Sequence, residues 1–120
     1  MPDLERLSAV AGTVAVVGVG ETDYGADHAR SRRGEPIGDG YAHAATALRR
    51  ALADCGLTKD DVDGLVCGPT LASERLGEGL GIDTRWADQA DAVQAVVKAT
   101  AAIHAGLAET VALVYGTDQR

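Results

Sequence analysis

The chain has 120 residues, enough for one domain, and 46% of them are apolar, with no Phe and Trp86 as the only Trp. Ala and Val dominate that fraction, and side chains so small bury little area each, which suits elements that approach closely. A net charge of −7 argues against nucleic acid and anionic membranes as partners, since both require clustered Lys and Arg.

A polar leader, Met1-Pro2-Asp3-Leu4-Glu5-Arg6, carries no basic segment followed by an apolar one, so no export signal is visible. The first strand is predicted from about Thr13 to Val19. Glu21 to Asp39 reads as a long charged loop, with Pro36 excluding a regular helix through its middle. Its basic cluster, Arg30 with Arg32 and Arg33, reads as a solvated stretch.

A helix follows from about Tyr41 to Asp54, with Ala44, Ala45, Leu48, Leu52 and Cys55 as its apolar stripe and Gly56 as its cap. Thr58 to Asp61 reads as a capped helical turn. A second strand, Gly64 to Cys67, stops at Gly68-Pro69. Leu71 to Leu76 is expected as a short helix ended by Gly77 and Gly79, and Asp83 to Ala87 as a weak third strand.

The last helix is predicted from about Ala90 to Ala105, capped by Asp88 or Gln89, with Val93, Val96, Val97, Thr100 and Ile103 on one side. Thr110 to Gly116 is the final strand. Its apolar character on both faces belongs in a parallel sheet covered on both sides, so the chain is expected to borrow cover from elsewhere. This alternation of strands and helices is a doubly wound α/β pattern.

Gly18-Val19-Gly20 after a strand resembles the start of a dinucleotide-binding fingerprint. The third glycine is replaced by Asp23, and Glu21 and Asp23 would repel a pyrophosphate. The two glycines are therefore read as allowing a tight turn. His28, His43 and His104 lack metal-ligand spacing, and Ser31 and Ser73 lack a nucleophile-elbow motif, so no metal site and no serine hydrolase are expected. Cys55 and Cys67 read as small buried hydrophobes in a reducing cytoplasm. No apolar run approaches the roughly 18 residues of a spanning helix.

Three blocks together resemble the thiolase superfamily, and within it the sterol-carrier/lipid-transfer-protein type. They are Val14 to Gly25, Ala51 to Leu57 with Asp61 to Val66, and Ala101 to Glu109 leading into Val114 to Arg120. The resemblance implies that residues 1–120 form a partial N-terminal thiolase-like domain. The implied fold is a three-layer α/β half with a mostly parallel, incomplete sheet of about four strands in the order 3-2-1-4. The nucleophilic Cys of such enzymes is expected near Gln89, where no thiol stands, so no catalytic residue is assigned and Gln89 is at most a polar substrate contact.

The resemblance further implies action on acyl-CoA thioesters in lipid or steroid metabolism, by carbon–carbon bond cleavage or formation, including retro-aldol cleavage. Coenzyme A would enter as part of the substrate, with no bound cofactor. An inactive structural or regulatory partner subunit is the alternative. The implied partners are a second copy, through an interface anchored by Trp86, or a zinc-ribbon OB-fold subunit. The chain is not expected to persist as a folded monomer.

Overall fold

The computed structural model describes residues 9–118. In chain order its elements are α1 (Tyr24–Arg32), α2 (Gly40–Cys55), a 3-10 turn (Lys59–Asp61), β1 (Gly64–Cys67), α3 (Ser73–Leu80), β2 (Trp86–Gln89), α4 (Ala92–His104) and β3 (Val111–Val114). The fold class is the expected α/β. The sheet has three parallel strands in the order β2-β1-β3, with Gly64 opposite both Trp86 and Val111.

β1 is central and buried along its whole length, as its unbroken Gly64-Leu65-Val66-Cys67 run predicts. Side chains alternate across it. Leu65 and Cys67, with Ala112 and Val114 of β3, join Ala44 and Leu48 of α2, Leu76 of α3, and the loop residues Val62, Leu71 and Ile82 in one core. Val66 points the other way, where α4 covers the sheet with Ala95, Ala99 and Ala102. Helices thus lie on both faces.

Several local predictions hold because their chemistry is local. Gly56 caps α2 with φ +73°, the left-handed conformation that glycine adopts without a Cβ penalty. The Thr58–Asp61 capping box forms, with the Thr58 N–H donating to Asp61 Oδ2 at 2.7 Å. α2 itself is capped by Asp39, which accepts from the Ala42 N–H at 2.9 Å.

Other expectations are corrected. Thr13 lies in a bend and Val14 to Val19 belongs to no strand, so the order is not 3-2-1-4. The predicted second and fourth strands pair directly, and the sheet has three strands instead of about four. The segment instead lies on α2, where Gly18 and Gly20 touch its backbone and the Val19 N–H donates to Asp54 Oδ2 at 3.0 Å. Neither glycine has a positive φ, so their role is close approach and not a turn.

The presumed loop contains α1, capped by Asp23 and ended at Arg33 before Gly34 and Pro36. It buries no residue, so no periodicity announced it. The helix after β1 runs on past Gly77 to Leu80. The last helix starts at Ala92, capped by Asp91 and not by Asp88 or Gln89.

α4 also turns the opposite face from the one its valines suggest. Val93, Val96 and Val97 are 74%, 49% and 61% exposed, while the alanine face meets the sheet. Small side chains let the helix axis approach the strands closely, which branched residues would prevent.

Candidate functional site

In an open parallel sheet, ligands bind in the crevice outside the carboxyl ends of the strands. Here those ends are Cys67, Gln89 and Val114, and the loops beyond them are tied together. The Gly68 N–H donates to Val114 O at 2.9 Å, and the Ala90 N–H donates to Cys67 O at 2.9 Å. Thr70 Oγ1 donates to Gly116 O. The Tyr115 ring lies over Gly68, where a side-chain carbon would come within 2.5 Å of it. The Tyr41 hydroxyl accepts from the Ala72 N–H at 2.9 Å, with the Arg75 guanidinium 4.4 Å from the centre of its ring.

Gln89 closes β2. Its side-chain amide donates to Leu71 O at 2.8 Å, and its own carbonyl accepts from Lys98 Nζ at 3.3 Å. Its amide group therefore ties β2 to the loop that precedes α3. Beside it, the Gln89 N–H and the Lys98 ammonium hold the Asp88 carboxyl below its ordinary range. Trp86 sits at the other end of the same strand, half-buried with its ring edge beside Gly64. Three residues of strand separate them, about 10 Å at 3.3 Å per residue. Gln89 and Trp86 are not parts of one site.

The distinctive feature of this end of the sheet is Ala92. It has φ +47° and is the one non-glycine residue with positive φ among the described residues. Left-handed backbone costs a non-glycine residue about 1–2 kcal/mol. Such strain between a strand and a helix is the geometry that displays a nucleophile over a helix N-terminus, where the helix dipole favours developing negative charge. At Ala92 the displayed group is a methyl. An alanine gives no sign in the sequence of the conformation it adopts.

Other reactive side chains do not supply the missing group. Cys67 is fully buried, and burial, with a smaller contribution from Glu74, raises its pKa from 9.0 to about 11. A thiol-directed alkylating reagent at neutral pH is expected to label Cys55 and leave Cys67 unmodified until the chain unfolds, as read by mass spectrometry. Because the raised value favours the neutral thiol, the stability it contributes is complete below pH 9 and lost as pH rises towards 11. His43 pairs with Asp27 at 3.7 Å, far along the chain from α4, and His104 lies in the last turn of α4. No group of His, Cys, Asp or Glu that could hold a metal occurs among the described residues.

A cavity of about 530 Å³ lies elsewhere. It separates the extended segment Val14 to Gly20 from β3, between α2 and α4, and neither Gln89, Ala92 nor Tyr115 lines it.

Among solved structures, an "Ltp2-ChsH2(DUF35) aldolase" matches 82% of this chain with 26% identity and a TM-score of 0.66. A monomeric SCP2-thiolase-like protein type 1 from Mycobacterium smegmatis matches 82% with 18% identity and a TM-score of 0.62. The fold is thiolase-like. It corresponds to only part of those proteins, since the matched region covers 26% and 22% of their chains. No protein-family model and no curated protein matches this chain.

Proposed function

We propose that this thiolase-like chain contributes to an enzyme that cleaves or forms a carbon–carbon bond next to an acyl-CoA thioester in lipid or steroid metabolism, with retro-aldol cleavage as the favoured reaction. The supporting observation is the likeness to an aldolase at 26% identity over 82% of the chain. An aldol cleavage also needs no covalent nucleophile. The bond between Cα and Cβ of a β-hydroxyacyl-CoA breaks, the hydroxyl gives its proton to a base, and the α-carbon takes a proton. That chemistry is compatible with a methyl at Ala92, whereas thiolysis through an acyl-enzyme is not.

The acid and base would come from the rest of the assembly, a second thiolase-like half or a zinc-ribbon OB-fold subunit, and coenzyme A would enter with the substrate. Two free thiols fit a reducing, cytoplasmic setting. Among the described residues no helix is long and apolar enough to cross a membrane.

The chain by itself is expected not to thiolyse acetoacetyl-CoA, measured as CoA-dependent loss of the substrate. Activity that survives alkylation of Cys55 would count against this. The decisive experiment isolates the native assembly through this chain and supplies a β-hydroxyacyl-CoA. Release of a shortened acyl-CoA and a carbonyl compound supports the aldolase reading. An assembly containing a thiolase-like partner that leaves both β-hydroxyacyl- and β-ketoacyl-CoA intact favours the alternative, a catalytically inactive structural or regulatory subunit, for which the methyl at Ala92 is the specific observation. Self-association through β2 is a further part of the proposal. Trp86→Asp is expected to weaken it at least about tenfold, and Arg50→Ala to leave it unchanged, in sedimentation experiments.

A further inference from the structure

The turn from β2 to α4 keeps its strained shape without packing to hold it. Asp91 and Ala92 are exposed, and the first buried residue of α4 is Ala95. A strained backbone persists only where its surroundings over-determine it, so here polar contacts must do so. Behind the turn, the Ala90 N–H donates to Cys67 O at 2.9 Å and ties the end of β2 to β1. Ahead of it, Asp91 accepts from the Ala92 N–H at 2.8 Å and starts the helix. Neither contact spans the turn.

Lys98 does. Its side chain runs back towards the amino end of α4, the direction that long side chains take on a helix. Its Nζ lies 3.1 Å from Asp88 Oδ2 and donates to Gln89 O at 3.3 Å. Asp88 is itself fixed, since its Oδ1 accepts from the Gln89 N–H at 2.7 Å. Among the described residues these are the polar contacts that cross from α4 to β2. One ammonium thus joins the second turn of the helix to the last two residues of the strand, with Ala92 between them.

The aim of the turn matters to the chemistry. The N–H groups of Val93 and Gln94, in the first turn of α4, have no hydrogen-bond partner among the described residues. In a retro-aldol cleavage the electron pair of the broken Cα–Cβ bond passes into the thioester as an enolate, which then takes a proton at Cα. The hydroxyl proton goes to the base, and Cβ leaves as a carbonyl. Donors already aimed at such a charge stabilise it without reorganising.

We infer that Lys98 is a positioning residue of this site: its ammonium clamps the β2–α4 turn in the strained form that aims the first turn of α4 at the substrate carbonyl. It touches no reacting atom and acts through Ala92. The pair is 42% and 40% exposed, so it adds little to global stability and salt weakens it. Without it, the strain at Ala92 favours relaxation of the turn. The kinetic consequence rests on the proposed reaction, and the structural one on the turn alone.

The test compares Lys98→Met, which removes the charge from a side chain of similar length, with Lys98→Arg, which keeps it. In the native assembly supplied with β-hydroxybutyryl-CoA, Lys98→Met is expected to lower kcat about fivefold, the upper end for a half-exposed pair, with KM unchanged. Lys98→Arg restores kcat. Added salt lowers kcat of the unmutated assembly and leaves that of Lys98→Met nearly constant. In the chain itself, the NMR cross-peak between the amide and α protons of Ala92, strong when φ is positive, weakens in Lys98→Met while Tm hardly changes. A raised KM at constant kcat, no rescue by Lys98→Arg, an equal salt dependence in both assemblies or an unchanged Ala92 cross-peak would each overturn the inference. An unmutated assembly that leaves β-hydroxybutyryl-CoA intact counts against the proposed reaction, and the Ala92 cross-peak then decides on the clamp by itself.

Discussion

Asp63→Ala is expected to lower the stability of the chain by about 2–3 kcal/mol, the scale of hydrogen bonds to a charged acceptor. Asp63 stands at the amino end of the sheet and holds all three strands in register. Its carboxylate accepts from the Glu109 N–H at 3.0 Å and the Thr110 N–H at 2.9 Å, fixing the entry to β3. Its own carbonyl accepts from the Arg85 N–H at 2.7 Å, at the entry to β2, and its N–H donates to Thr110 O at 3.1 Å. Arg85 Nη1 lies 3.7 Å from the same carboxylate, an exposed pair that adds little.

Thermal unfolding at one fixed chain concentration should show a fall in Tm of roughly 10–20 °C, at 4–8 °C per kcal/mol for a domain of this size. Asp63→Asn keeps one acceptor oxygen and should lose about half as much. Equal losses in the two variants would mean that charge, and not the geometry of the acceptor, secures the strands.

Gly20→Ala is expected to cost about 1–3 kcal/mol, the range for forcing extra carbon into a packed site. The new methyl would collide with the Ala51 nitrogen and stand 2.5 Å from Ala47 O, both backbone atoms of α2 that cannot move aside. The segment has to lift away from the helix, which breaks the bond from the Val19 N–H to Asp54. Amide exchange at Val19 therefore accelerates more than at Leu65 in the buried strand. Uniform acceleration at both would mean global destabilisation, with no local detachment of the segment.

Much of the fold was legible because its signals are local. The buried run Gly64 to Cys67, the Thr58–Asp61 box and Gly56 after a striped helix each state their conformation within a few residues. What failed was decided at a distance. Val14 to Val19 has the composition of a strand, and nothing in those residues says whether an edge is near enough to pair with. The valines of α4 announce an apolar face, but whether that face meets the sheet depends on how closely the helix must approach it, and there the alanines prevail. α1 buries nothing, so its only trace is the Asp23 cap. At the candidate site, Gln89 was recognisable as a polar residue near the helix start. The strained residue three places on was not, because alanine is silent about its backbone.

The conformation of Ala92 bears on how such a chain changes over time. The positive φ is imposed by the junction between β2 and α4, and a methyl group tolerates it without any reactive group to justify it. Backbone and chemistry are therefore separable at this turn. A single-codon change there can introduce or remove a nucleophile on a frame that is already built, and the strain it requires is already present in the fold. A lineage carrying this junction can change the side chain displayed there without having to re-evolve the turn.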